Sequence, residues 1–322
     1  MQTVFLADPI HEVGRDRLAK RFTVVSREPS ADPSATHLES ADILVVRTFI
    51  ANGALMDRMP RLKLVLKHGS GVDNIDIPAA TERRVLVGNT PGGSNATAVA
   101  EGAFALMLTV LRSTREMDAC VRDNRYADRW TIQLRDLWGA TLGLVGFGKI
   151  ARIAARMGRG FDMTVFAYDP FVSAEEMKAH DVRKAETLDE LLGAADVVSL
   201  HVGLSTSTAH LINEDALSKM KKRAILINTS RGEVVDENAL VNALRDKRIG
   251  GAGLDVFDPE PPAKDSPLFD LPGVVLSPHV AGVTEASMRD MALNVAKFVE
   301  DFADAREPAT LLNKQIWSQR KP

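Results

Sequence analysis

One cysteine, Cys120, stands in a chain of 322 residues, which excludes an internal disulfide and fits a reducing compartment. Cys120 lies among helix-forming residues without a metal-ligand or nucleophile pattern around it, so packing is its ordinary role. An excess of either charge is missing too: 40 Lys and Arg against 43 Asp and Glu leave a net charge of -3. That balance gives no general attraction for nucleic acid or an anionic membrane. The short basic run at 219–223 reads as a helix C-terminus meeting solvent. The longest apolar stretch, 103–111, falls far short of the roughly 20 residues a membrane span needs. The N-terminus starts directly on a strand pattern, Val4-Phe5-Leu6-Ala7, without the charged start and apolar region of a secretory signal. Low-complexity tracts and short-period repeats are absent. A cytoplasmic location with no nucleic-acid or membrane partner is the expectation.

What is present is alternation. Apolar runs at 4–7, 23–25, 43–46, 64–66 and 86–87 are separated by helix-like segments near 11–21, 52–59 and 76–83. Further runs follow at 141–145, 164–168, 197–200, 224–227, 253–256 and 274–276. Strands alternating with helices predict an α/β protein with parallel sheets covered on both faces, and this length suggests two domains.

Nearly halfway along, the apolar run 141–145 ends at Gly146-Phe147-Gly148, and helical spacing begins at once with Lys149, Ile150 and Ala151. Gly146 permits a tight turn, Gly148 lets backbone approach a pyrophosphate, and the helix N-terminus supplies N–H groups and a positive dipole. Ala151 replaces the third glycine of the fingerprint, which tolerates it. Gly-x-Gly also occurs in ordinary turns, so context decides. The run 164–168 ends in Asp169, about 20 residues on, where a carboxylate accepts hydrogen bonds from the adenosine ribose. Alone, Asp169 reads equally as a turn residue before Pro170. Its charge repels a 2′-phosphate, and Pro170-Phe171 offers no Arg to receive one, so NAD is favoured over NADP.

The six runs from 141 to 276 make one dinucleotide-binding unit, with about a hundred residues before it. After it, 285–304 carries Met288, Met291, Ala292, Val295 and Phe298 at helical spacing. This tail needs a surface, and the first domain is the natural one. We expect two doubly wound domains: a discontinuous, flavodoxin-like substrate domain (1–97 with 285–322) and an inserted Rossmann NAD-binding domain (98–284). Ligands are expected at the C-terminal ends of the strands.

Three loops follow late runs: Asn228-Thr229-Ser230-Arg231-Gly232-Glu233, the segment from Asp255 through Glu260 to Pro262, and Ser277-Pro278-His279-Val280-Ala281-Gly282. Oxidising a hydroxyl by hydride transfer requires a base for its proton and a cation for a substrate anion. An imidazole suits the first task and an Arg fork the second. Glu260 hydrogen-bonded to the other imidazole nitrogen favours the protonated ring and fixes its orientation. A lone Arg is ordinarily a surface residue and most histidines are structural, as His11, His37, His180 and His210 read here. His279 differs in following a strand and a proline.

These stretches, with Gly69-Ser70-Gly71-Val72-Asp73-Asn74-Ile75-Asp76, Asn89-Thr90-Pro91, Asn95 and Val99-Ala100-Glu101, resemble the D-isomer-specific 2-hydroxyacid dehydrogenase family. The likeness is nearest to its 3-phosphoglycerate dehydrogenase and glyoxylate/hydroxypyruvate reductase branches. It implies an NAD-dependent enzyme acting on a small 2-hydroxy or 2-keto acid, with no metal. His279 would be the acid/base, Glu260 its partner, and Arg231 the group that binds the substrate carboxylate. N–H groups around Gly69, Ser70 and Gly71 would complete the carboxylate site. Asp255 would lie near the nicotinamide carboxamide. Thr229 and Ser230 would line the cofactor beside Arg231. His201, Val202 and Gly203 would follow the strand beneath the adenosine, with Thr208 and Gly282 completing the set. Gly203 stands where the family often has Pro, a departure that loosens the loop without removing a chemical group. Glu260 stands where the formate dehydrogenase branch has Gln, which disfavours that branch.

The family also implies a homodimer clasped through 98–119, Trp130 and Trp138, for which the alternative is a simple core helix. The segment 125–130 would reach the partner's cleft. Arg47 and Lys67 are candidates for a second substrate anion such as phosphate, or else solvent-facing strand-end charges. The competing function is an NAD(H)-binding regulatory protein resembling the family's corepressors, which retain the same Arg, Glu and His. The short tail after residue 304 argues against it.

Overall fold

The computed structural model describes residues 1–28, 32–91 and 93–320. The chain divides into two compact units, Met1–Asn95 with Val283–Pro322, and Ala96–Gly282.

In the first unit, β1 (Thr3–Leu6), β2 (Thr23–Ser26), β3 (Ile43–Val46), β4 (Leu64–Lys67) and β5 (Leu86–Asn89) form one parallel sheet in the order β2-β1-β3-β4-β5. This is the flavodoxin-like order. The central strands are Val- and Leu-rich and buried on both faces, as parallel strands covered by helices must be. The C-terminal helix Glu285–Ala303, capped by Thr284, lays Val295, Phe298, Val299 and Phe302 against Val4, Leu6, Leu64, Leu66 and Leu86. The outer edge of β5 is covered by the chain near its C-terminus: Asn313 accepts from the Val87 N–H (2.8 Å) and donates to the Val85 carbonyl (2.9 Å). Closing a sheet edge in this way removes a template for unwanted pairing. The short helix Ala35–Ser40, capped by Ser34, falls outside the sequence expectation because six residues show too little periodicity.

The second unit holds β6 (Thr141–Val145), β7 (Thr164–Tyr168), β8 (Arg183–Lys184), β9 (Val197–Leu200), β10 (Ile225–Asn228), β11 (Gly251–Leu254) and β12 (Val274–Leu276). Their order is β12-β11-β10-β9-β6-β7-β8, so the winding reverses between β6 and β9, the crevice in which doubly wound sheets bind nucleotides. The sequence runs omit β8, a two-residue Arg-Lys edge strand without an apolar signal. They also place β11 two residues late, at 253–256, because pairing stops at Leu254 and Asp255 turns to bond a neighbouring loop. Among the described residues one helix, Gly93–Leu111, is long and apolar enough to cross a membrane. Its Ala100, Ala103, Phe104, Met107 and Val110 pack in the core of the second unit instead.

Candidate active site

At the end of β6, Gly146 adopts φ +89, and its N–H donates to the Tyr168 carbonyl (2.8 Å). A Cβ there would stand 2.8 Å from the His201 carbonyl oxygen. Glycine is required on both counts. Gly148 caps the helix Lys149–Gly160 without a side-chain cap, and a Cβ on it would meet nothing within 4 Å. The N–H groups of Gly148, Lys149 and Ile150 have no partner among the described residues. An uncapped helix start with open space before it fits a dinucleotide phosphate. Replacing Gly146 with Ala is expected to weaken NADH binding by about tenfold or more, since the left-handed backbone alone costs a residue about 1–2 kcal/mol. Fluorescence titration with NADH checks this, and an unchanged Kd would remove Gly146 from the site.

Asp169 follows β7, accepting from the Phe147 N–H through Oδ2 and from the Phe171 N–H through Oδ1, both at 2.9 Å. Its carboxylate therefore braces the glycine loop and keeps lone pairs for ribose hydroxyls. Pro170 is exposed beside it. The sequence offered no Arg after Asp169, yet the fold brings one from the helix: Arg152 donates to the Phe147 carbonyl (3.1 Å) and to Glu176 (2.5 Å). Glu176 holds that guanidinium in an ion pair.

His201 follows β9 and shares a hydrogen bond with Ser199 Oγ (3.0 Å); burial pushes its imidazole down to about 4, so it is neutral at pH 7. After His201 and Val202, the loop at Gly203 is tied rather than loose. Thr208 Oγ1 donates to the Gly203 carbonyl (2.7 Å) and accepts from the Ser205 N–H (2.8 Å).

The catalytic candidates lie at the ends of β10, β11 and β12. Buried Asn228 shapes the first loop, donating to the Arg231 carbonyl (2.8 Å) and accepting from the Ser230 N–H and hydroxyl (3.0 and 2.8 Å). Arg231 Nη1 donates to the Ser230 carbonyl (2.6 Å). Thr229 Oγ1 is buried without a partner among the described residues, an orphan that a bound cofactor would satisfy. Glu260 Oε1 is 2.6 Å from His279 Nδ1, with the two side chains 37% and 41% exposed. Burial pushes the Glu260 carboxyl up, but the bond to His279, the charges of His279 and Arg231 and the Phe257 N–H together hold it below the usual range. Arg231, Glu260 and His279 thus meet in one electrostatic group. With Nδ1 engaged, His279 Nε2 has no partner among the described residues.

His279 sits at φ +55, a left-handed backbone that a non-glycine residue holds only when its surroundings enforce it. Asp255 enforces it. This residue is 1% exposed; its carboxylate accepts from the Val280 and Ala281 N–H groups (2.9 and 2.8 Å) and from the Ser277 hydroxyl, and its carbonyl accepts from the His279 N–H (2.8 Å). Where the resemblance placed Asp255 by the nicotinamide, the structure adds a clamp on the loop from Ser277 through His279 toward Gly282. That role needed two loops more than twenty residues apart to meet, which no local pattern announces.

In the first unit the carboxylate loop is narrower than expected. The Gly69 N–H donates to Thr90 Oγ1 (3.1 Å), and the Gly69 carbonyl accepts from the Thr90 N–H (3.0 Å). The open N–H groups are those of Ser70 and Gly71, which have no partner among the described residues. Arg47 and Lys67 do not form a pair of anion receptors. Lys67 is in register with Val46, so it faces the opposite side of the sheet from Arg47. Its ammonium donates to the Arg47 carbonyl and to Asn74 Oδ1, both at 2.5 Å. No group of three or more His, Cys, Asp or Glu side chains converges as metal ligands among the described residues.

Residues 104–281 match the model of the D-isomer specific 2-hydroxyacid dehydrogenase NAD binding domain. The chain belongs to this family. It is 41% identical to a glyoxylate reductase of Thermococcus onnurineus over 99% of this chain and 98% of that one. It is 34% identical to a D-3-phosphoglycerate dehydrogenase of Methanocaldococcus jannaschii over 93% of this chain and 57% of that one. The crystal structure of a D-lactate dehydrogenase from Aquifex aeolicus, complexed with NAD and lactic acid, superposes with a TM-score of 0.83 at 31% identity, covering 94% and 96% of the two chains.

Proposed function

We propose that this protein is an NAD-dependent oxidoreductase interconverting a small D-2-hydroxy acid and its 2-keto acid. The observation that carries the reading is the 2.6 Å contact of His279 Nδ1 with Glu260, beside Arg231. The glycine loop, the uncapped helix start at Lys149 and Asp169 would hold a nicotinamide dinucleotide, which would supply or accept the hydride at C2 of the substrate. In reduction, protonated His279 donates from Nε2 to the developing C2 alkoxide, and Glu260 holds the ring and stabilises its charge. Arg231 binds the substrate carboxylate and polarises the C2 oxygen, the tasks its planar fork suits. In the first unit, the open N–H groups of Ser70 and Gly71 are likewise suited to a carboxylate.

Asp169 supports NAD over NADP, because its carboxylate repels a 2′-phosphate and Glu176 engages the nearby Arg152. The reductases of glyoxylate among its relatives make glyoxylate and hydroxypyruvate the first substrates to try. A cytoplasmic homodimer is part of the proposal. The exposed Val121, Tyr126, Trp130 and Trp138, with Trp130 at 81% exposure, supply an apolar surface for a second copy.

The deciding experiment is steady-state oxidation of NADH and NADPH with glyoxylate, hydroxypyruvate and pyruvate. Turnover is expected with NADH at a kcat/KM about tenfold or more above that with NADPH. Absence of turnover with every keto acid would leave a nucleotide-binding protein without metabolic activity.

A further inference from the structure

At the C-terminal edge of the first sheet, side chains continue the two-residue alternation of the strands. Val45 and Leu66 face the core beneath the helix Glu285–Ala303, which places Arg47 and His68 on the same side; Asp8 accepts from the Arg47 N–H (2.6 Å) and its charge acts on His68. His68 is 1% exposed, and neither ring nitrogen has a partner among the described residues. A buried polar group left unbonded is costly and uncommon, and calls for an explanation. Burial, reinforced by the charges of Arg47 and Lys67 and opposed by Asp8, pushes this imidazole down to about 4. The ring is therefore neutral at pH 7, with one nitrogen donating and the other accepting.

Two features stand beside His68, one through the charge of Arg47 and one along the chain. Arg47 Nη1 donates to the thioether of Met288 at 3.1 Å, a weak acceptor on a flexible, half-exposed side chain. An oxygen-bearing ligand group offers that N–H a better acceptor and displaces the thioether. From His68 the chain runs directly into Ser70 and Gly71, whose N–H groups stand open.

We propose that His68, with Arg47 and the displaceable Met288, forms a subsite for the substituent on C3 of the 2-keto acid, and that it selects an uncharged hydroxyl. The inference rests on the dehydrogenase reading above and names the substrate that reading leaves open. A hydroxyl both donates and accepts, as a neutral imidazole does. A phosphate only accepts and needs concentrated positive charge. Lys67 faces the other side of the sheet, and the carboxylate of Asp8, which pairs with Arg27 (3.7 Å) and accepts from the N–H groups of Arg47, Thr48 and Phe49, sets a negative charge near His68.

The test compares kcat/KM for hydroxypyruvate, pyruvate and 3-phosphohydroxypyruvate in the natural enzyme, His68→Ala and His68→Asn. Pyruvate differs from hydroxypyruvate only in lacking the C3 hydroxyl. The natural enzyme is expected to prefer hydroxypyruvate to pyruvate by about tenfold or more, because a site built to bond a hydroxyl rejects the analogue without it. His68→Ala should lower that ratio by about tenfold, and His68→Asn, which retains a donor and an acceptor, should restore part of it. Thermal unfolding of both variants separates a lost ratio from a lost fold, and the ratio is read on the folded fraction. A preserved ratio in a folded His68→Ala, or a natural preference for 3-phosphohydroxypyruvate, overturns the proposal while leaving the dehydrogenase reading intact. No turnover with any keto acid overturns both.

Discussion

His279→Ala is expected to lower kcat for keto-acid reduction by about 10²–10⁴-fold, the range associated with loss of a positioned proton donor. The Kd for NADH should stay within about threefold, because the glycine loop and Asp169 lie at the ends of other strands. The expectation follows from how one ring is held from both sides. Glu260 engages Nδ1, leaving Nε2 to meet the substrate oxygen. Asp255 holds the backbone around His279 in its left-handed conformation through the two following N–H groups. A side chain fixed at both its ring and its backbone loses little entropy on reaching the transition state. Single-turnover reduction and NADH titration check the split between chemistry and binding. An unchanged kcat would remove His279 from proton transfer.

Arg231→Ala should lower kcat/KM by about 10³-fold, with Arg231→Lys recovering only part of it. Removal of one preorganised charge-stabilising donor costs about 10²–10³ in rate, and Arg231 serves the carboxylate as well as the C2 oxygen. An ammonium replaces the charge but not the two parallel donors of a guanidinium. Arg231 also contributes to holding the Glu260 carboxyl low. Its loss should therefore shift the acid limb of the kcat/KM profile to higher pH: a carboxyl protonated at higher pH releases its bond to His279 earlier as pH falls. Profiles of kcat/KM against pH for both variants test this, and equal rescue by Lys would reduce the role of Arg231 to charge alone.

Asn228 and Asp255 show why part of this site escapes linear inspection. Each stands at a strand end in a stretch whose residue types suggest chemistry, yet each directs its polar atoms at the protein. Asn228 closes a turn three residues ahead of itself, a pattern close to legible. Asp255 reaches a loop more than twenty residues away, which requires β11 and β12 to lie side by side.

By itself the sequence determined what depends on neighbours along the chain. The alternation of apolar runs with helical spacing marked the strands and helices, glycine at 146 marked a turn that no other residue makes cheaply, and Asp169 marked the end of the next strand. Strand ends then collected Arg231, Glu260 and His279, since a parallel sheet delivers every such end to one edge. Only the tertiary structure decided which face each strand-end side chain takes and what it meets there. Register with Val46 turned Lys67 away from Arg47, Thr90 took both polar groups of Gly69, and His68 was left buried with its ring unbonded. One residue of register reverses the face of a strand, and a hydrogen bond between distant segments exists only once packing has brought them together.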